Sequence, residues 1–257
     1  MAEPIREIKL PSMENTQNIS VVVPMLNEAE NAASLISEIL EAAKHCPIAE
    51  IVIVNDASTD RTPEVVLGLK QQYPQIRLVS HSARAGQSAG NRTGIIYAKG
   101  PLIVTMDGDG QNNPADIPKL YHKYTETPDA RMILVAGQRE KRIDSLLKKF
   151  TSRMGNGIRR TLLQDGVRDT GCSLKLFRRD DFLMLPFFNH MHRFLPALFL
   201  REHGTIALVD VSHRSREAGV SKYGFWDRLW AGIFDIFGVL WLKTRAPKNI
   251  STTEVHE

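Results

Sequence analysis

The chain has 257 residues, 42% of them apolar and 24% charged, which is enough apolar mass for a large core and excludes wholesale disorder. Thirty-three basic side chains against 29 acidic ones give a net charge of +4, which suits anionic ligands or a membrane surface and is too small an excess to argue for nucleic acid. Two cysteines, Cys46 and Cys172, stand far apart with no paired spacing; that excludes a disulfide framework and a zinc motif and fits a reducing cytosol.

Residues 1–18 are polar and mixed in charge, without the apolar core of a secretory signal, and are expected to form a flexible lead-in. From Ile19 to about Gln138 short β-branched runs alternate with amphipathic stretches. The runs are ISVVV (19–23), EIVIV (50–54), IRLVS (76–80), LIVTM (102–106) and RMILVAG (131–137). Near-continuous apolar runs of this length predict strands covered on both faces, and hence a parallel sheet. Between the first two, Ala32, Leu35, Ile36, Ile39, Leu40 and Ala43 share one helical face. Thr62 followed by Pro63 marks the start of the next crossover helix. Strand and helix in repeated alternation predict a doubly wound α/β domain, whose ligands bind outside the carboxyl ends of the strands. The polar loops PMLNEAEN, NDASTDRT, SARAGQSAG and DGDGQNNP fall at those ends.

After Gln138 the texture changes to a basic helical stretch, a short strand within DTGCSLKLFRRD, and a helix in HRFLPALFLREHG. The segment 224–246 is the most apolar of the chain and holds all three tryptophans. From Leu229 to Leu242 its 14 residues are interrupted by Asp235, too short and too charged for a membrane span. Trp226, Leu229, Trp230, Ile233, Phe237, Leu240 and Trp241 fill much of one helical face, and Lys243, Arg245 and Lys248 follow. This pattern fits a helix lying in a membrane interface beside anionic headgroups; the plainer alternative is a helix packed on the domain. The tail 247–257 is expected to be disordered.

Of the loops, DGDGQ carries the clearest chemistry. Asp107 and Asp109, separated by Gly108, can reach one divalent ion, and Gln111 can add a third oxygen; Mg²⁺ and Mn²⁺ prefer such ligands, shared with substrate phosphates. A calcium loop of the EF-hand type fails here, because Asn112 stands where that loop needs glycine and Pro118 where it needs glutamate. The plainer reading is a solvated Asp/Gly turn. Asp56, just past the second strand, can accept from a nucleobase or ribose, while Ser58 or Asp60 caps the following helix. RAGQSAG lacks the GxGxxG pattern, no Walker lysine occurs, and no GxSxG element supports a hydrolase. His45, His81, His122 and His203 read as surface or loop residues.

Taken in order, VVVPMLNEAEN, VNDASTDRT, MDGDGQNNP, GQR with FTSRMGN, DTGCSLKLFRR and SREAGVSKYG resemble the family 2 inverting glycosyltransferases. Within them they are most similar to the polyprenyl-phosphate branch that includes dolichol-phosphate mannose synthases. The likeness covers about Ile19 to Tyr223, with Asn55 replacing the first of a usual acid pair. It implies a single nucleotide-sugar-binding domain of GT-A type over 19–223. Pro24, Leu26, Glu28, Val54, Asp56, Asp107, Gly108 and Asp109 would then line the nucleotide-sugar site. Asp107, Asp109 and Gln111 would hold Mg²⁺ or Mn²⁺, and Arg139, Ser152, Arg153, Arg216 and Lys222 would gather donor and acceptor phosphates. Asp109, Arg139 and Arg153 take the catalytic roles in that picture.

Chemistry favours the lipid-phosphate branch. A sugar hydroxyl needs a general base, and no ED acid followed by QxxRW is present to supply one; an ionised phosphate needs none. It needs cations, and Lys141, Arg142, Arg153, Arg159, Arg160, Arg214, Arg216 and Lys222 provide them, Lys148 and Lys149 being assigned to a solvated helix face. The expectation is a transferase moving a sugar from a GDP- or UDP-linked donor to a polyprenyl phosphate, peripheral on the cytoplasmic face of a membrane, with homo-oligomerisation left open. The alternatives are a transferase acting on a sugar hydroxyl and a non-catalytic nucleotide-sugar-binding relative.

Overall fold

The computed structural model describes residues 18–127, 132–139, 162–214 and 225–246, the last stretch with side chains from Phe234 onward. Its strands are β1 (Ile19–Met25), β2 (Ile48–Asn55), β3 (Ile76–Ser80), β4 (Leu102–Thr105), β5 (Ile133–Arg139), β6 (Lys175–Arg178) and β7 (Thr205–Val211). The helices are α1 (Ala29–Ala42), α2 (Thr62–Gln72), α3 (Gln87–Tyr97), α4 (Ile117–Thr125), α5 (Arg179–Leu183), α6 (Leu195–Arg201) and α7 (Phe225–Thr244). The strands form one seven-stranded sheet in the order β3-β2-β1-β4-β6-β5-β7. β6 runs antiparallel to both neighbours, and the remaining pairs are parallel. The predicted mostly parallel α/β sheet is therefore present, with one reversed strand that periodicity could not announce.

Alternation along the strands sends side chains to two cores. Val21, Val23, Ile51, Ile53 and Val104 pack with Leu35, Ile36 and Ile39 of α1, Val66 of α2 and Leu120 of α4. Val22, Val52, Val54 and Ile103 pack with Ile95 of α3, Phe182 of α5 and Phe199 of α6 on the other face. α3 lies close to the sheet because Gly94 has no side chain: a Cβ there would come within 2.3 Å of Val22.

At the opposite end from the site, Glu50 is 6% exposed. Burial alone would raise its carboxyl, but bonds from the Lys99 amide, Ser20 and Arg77 outweigh that and hold it below the usual range.

The strand directions fix the site. The carboxyl ends of β1, β2, β3, β4, β5 and β7 meet at one edge of the sheet, and reversed β6 brings its amino end, with the loop before it, to the same edge.

α7 packs against the domain along one side. Val239 is fully buried with Leu163, Phe194 and Ala197. Arg201 donates to the carbonyls of Leu242 and Arg245, and Asp235 pairs with His190 at 3.0 Å. Phe234, Phe237 and Trp241 face outward at 70%, 62% and 59% exposure. The amphipathic faces are thus rotated from the predicted ones: Leu240 packs on the domain instead of joining the outward face, and Asp235 points inward. No helix of the described residues is long and apolar enough to cross a membrane.

Candidate functional site

The first two strand-end loops are stitched together. Ser58 Oγ accepts from the Asn27 amide, Asn27 Oδ1 accepts from the Thr59 amide at 2.7 Å, and Asp60 bonds Thr62 and the Ala29 amide. Asp60 therefore braces the start of α2, as expected, and the start of α1 as well. Pro24 and Leu26 are half-buried at the end of β1, and Glu28 accepts from Asn31 Nδ2 at 2.7 Å. Val54 does not line the site: it has no exposed surface and sits in the α3-side core, because both faces of β2 are covered and it falls on the phase that α3 packs against.

Asp56 is 4% exposed, and its carboxylate is largely engaged. Oδ1 accepts from His81 Nδ1 and the Ala85 amide, and Oδ2 from the Gly86 amide, each at 2.8 Å. Burial opposes its ionisation, but these three donors win and hold the carboxyl below its usual range. Of roughly four acceptor positions on a carboxylate, one is left for a ligand. His81, read from sequence as a surface or loop residue, instead bridges Asp56 and Thr93 Oγ1.

Asp107 and Asp109 sit on the turn that follows β4. Gly108 is required there by close approach: a Cβ would meet Met25 Cγ at 2.8 Å and the Pro24 carbonyl at 3.1 Å. The Asp107 amide donates to Ser173 Oγ at 3.1 Å and Asn112 Oδ1 at 3.2 Å, and Ser173 donates to Asn112 at 2.6 Å. The carboxylate of Asp107 accepts from Gln87 Nε2 at the start of α3. Asp109, 8% exposed, accepts from the Gln111 amide at 3.2 Å. Burial, and then the charge of Asp109, push the Asp107 carboxyl up to about 6. Asp107, raised in part by the charge of its neighbour, forms with Asp109 a pair that fits a divalent cation, which would relieve that repulsion. Among the described residues no third His, Cys, Asp or Glu joins them. That suits an ion that completes its shell with water and substrate phosphate oxygens. Gln111 participates through its main chain in the contacts described, its carbonyl accepting from the Arg214 amide at 3.1 Å.

The second half supplies the opposite charge. Arg139, at the end of β5, pairs through Nε and Nη2 with Asp169. Burial opposes its charge, yet the Asp169 pair holds the guanidinium above its ordinary range. Lys175 is 3% exposed, at the start of β6, with its ammonium on the carbonyls of Thr170 and Cys172; burial lowers its pKa, against the pull of Asp107 and Asp169. Arg139 was expected to meet phosphates, and it does lie at the site, but two of its three nitrogens are engaged by Asp169. Beyond β7, Asn112 bridges to His213, and Arg214 binds Glu38 and Asn113 at 2.7 Å each. Ser152, Arg153, Arg216 and Lys222 lie outside the described residues, as do Lys141, Arg142, Lys148, Lys149, Arg159 and Arg160.

Residues 20–183 match the family model Glycosyl transferase family 2. The chain belongs to glycosyl transferase family 2. This glycosyltransferase is 34% identical over 245 residues to a dodecaprenyl-phosphate galacturonate synthase of Rhizobium johnstonii, a match that covers 93% of this chain and 70% of that protein. It is 30% identical over 217 residues to an undecaprenyl-phosphate 4-deoxy-4-formamido-L-arabinose transferase of Photorhabdus laumondii, covering 83% of this chain and 65% of the relative. The chain thus spans about two thirds of the length of such relatives. Among solved structures it is similar to glucosyl-3-phosphoglycerate synthase of Mycobacterium tuberculosis in complex with Mn²⁺, UDP and glucosyl-3-phosphoglycerate. The TM-score is 0.69 at 19% identity, covering 91% of this chain and 82% of that one. It also resembles mannosyl-3-phosphoglycerate synthase of Rubrobacter xylanophilus, with a TM-score of 0.70 at 18% identity, covering 91% and 77%. Those likenesses bear on the fold, which is the GT-A-like one expected.

Gln87, Asp169, Ser173 and Lys175 were not singled out from sequence, and His81 was read only as a surface or loop residue. Each is a common polar residue in a loop or at a strand start, and only the convergence of strand ends gives it a partner. One signal was available: RAGQSAG is a glycine-bearing loop at a strand end that matches no known phosphate motif.

Proposed function

We propose that this glycosyltransferase moves a sugar from a nucleoside-diphosphate sugar to a polyprenyl phosphate with inversion, at the cytoplasmic surface of a membrane, using Mg²⁺ or Mn²⁺. The observation that carries the reading is the paired-carboxylate turn at the carboxyl ends of β1 and β4, in a chain similar to enzymes named for polyprenyl-phosphate products. Asp107 and Asp109 are the residues that would hold the cation. When bound, it supplies positive charge beside the diphosphate of the leaving nucleotide. Arg139 is held at the same edge by Asp169, and Lys175, buried at the start of β6, acts on Asp107 through its charge.

An acceptor phosphate oxygen, ionised near neutral pH, attacks the anomeric carbon in line. The bond from that carbon to the donor diphosphate breaks, its electron pair leaves with the nucleotide, and no proton has to be removed. The described acids near the turn agree with this need for no base: Asp169 is paired with Arg139, Asp116 with Ser212 and Lys119, and Asp56 with His81. The outward Phe234, Phe237 and Trp241, with Arg245 over the Trp241 ring at 6.0 Å, support a bilayer-facing α7.

The test is incubation of the purified protein with polyprenyl phosphate or sugar-hydroxyl acceptors, and a panel of GDP- and UDP-sugars, with and without Mg²⁺ or Mn²⁺. A polyprenyl-phosphate-linked sugar is the expected product. Transfer to hydroxyl acceptors alone would replace this reading, and nucleotide-sugar binding without turnover would point to a non-catalytic relative.

A further inference from the structure

The loop before α3 has so far been given no role, although it contacts the carboxylate turn. Its residues are held from two sides. The amides of Ala85 and Gly86 are fixed on Asp56, and Gly86 adopts φ +88°, a conformation that favours glycine. Ser88, 1% exposed, bonds Nδ1 of His192 at 2.7 Å and accepts from the His192 amide at 3.3 Å. Burial, reinforced by the charge of Arg193, keeps His192 well below its usual range. The Ser88 hydroxyl and the neutral ring share one hydrogen bond whose direction the ring tautomer sets. Gln87 lies between these two anchors, and its amide reaches Oδ1 of Asp107.

We propose that Gln87 is a positioning residue for the cation site: its Nε2–H fixes the rotation of the Asp107 carboxylate and leaves the second oxygen, with Asp109, for the cation. The proposal rests on the metal reading above. An amide suits the task because it orients a carboxylate without adding a charge that competes with the cation. The same physics governs ligand-orienting partners generally, whose loss costs about 10–100-fold in metal affinity or activity.

The test is Mn²⁺ binding to the full chain, alone and with UDP or GDP, followed by the electron paramagnetic resonance of free Mn²⁺. Gln87→Leu and Gln87→Met are compared with wild type, two variants so that a folding failure of one leaves the other. The expected result is Mn²⁺ affinity weakened about tenfold, with metal-free nucleotide affinity and the metal-free unfolding midpoint held. Wild-type Mn²⁺ affinity in either folded variant overturns the role of Gln87 while leaving the metal reading intact. Parallel loss of metal-free nucleotide affinity also overturns it, since it marks a collapsed pocket. Absence of Mn²⁺ binding by the wild-type protein under all three conditions overturns the metal reading and this proposal with it.

Discussion

Replacing Asp56 separates two accounts of the second strand-end loop. If its carboxylate is first a brace, Asp56→Ala strips the acceptor from the Ala85 and Gly86 amides and from His81 Nδ1 at once. Stranding a buried donor costs about 1–3 kcal/mol, and bonds to a charged acceptor lie toward the upper part of that range. Ala85 is exposed, so water recovers part of its loss, and Gly86 and His81 are half-buried. The sum is about 2–4 kcal/mol, equivalent to roughly 4–15 °C in Tm for a chain of this size. Asp56→Asn keeps one acceptor oxygen and should lose about half as much.

The pH dependence follows from the direction of the shift. The folded carboxyl lies below its ordinary 3.8, so its contribution is complete above that value and is lost as pH falls through the lower folded one. Urea unfolding of wild type and Asp56→Ala across pH 2.5–8 (roughly the accessible range) should show a gap that is constant at neutral pH and closes in acid. An Asp56→Ala protein that unfolds with wild-type stability at pH 7 but no longer binds nucleotide would refute the brace. The carboxylate would then be reserved for ligand, as sequence alone suggests.

Three further outcomes are expected. Asp109→Ala should lower polyprenyl-phosphate-dependent transfer by on the order of 10²-fold or more; full activity with divalent metal present would end the metal assignment. Asp169→Ala leaves Arg139 buried without its partner and should cost about 3–5 kcal/mol in urea unfolding. The double change Arg139→Met with Asp169→Leu should cost less, and the reverse order would show that the pair is not the stabilising unit. Phe237→Glu combined with Trp241→Glu alters only outward side chains, so the unfolding midpoint should hold while sedimentation with anionic vesicles falls. Unchanged sedimentation would count against a bilayer-facing α7.

Much of this was legible because the signal was local. The runs at 19–23, 50–54, 76–80 and 102–106 are β-branched and mostly apolar, and each became a strand within two residues of its predicted ends. The fifth run shifted to Ile133–Arg139, which placed Arg139 inside a strand. β7, with the apolar run Ile206 to Val209, was not assigned from sequence; it is an edge strand, exposed at Thr205, Leu208 and Asp210.

Sequence by itself determined the α/β class, the loops that carry chemistry, and the spacing of Asp107 and Asp109, because helix and strand periods and a two-residue carboxylate interval are properties of neighbours along the chain. Tertiary structure decided which of those groups are available. Asp56 is bound by amides 29 and 30 residues away, Arg139 is held by Asp169, Val54 is enclosed by α3, and Gln87 meets Asp107 across the gap between two strand ends. The reversed β6 made the largest difference. Strand direction leaves no mark on composition, yet it brings Ser173 and Lys175 to the edge where the six other strands end.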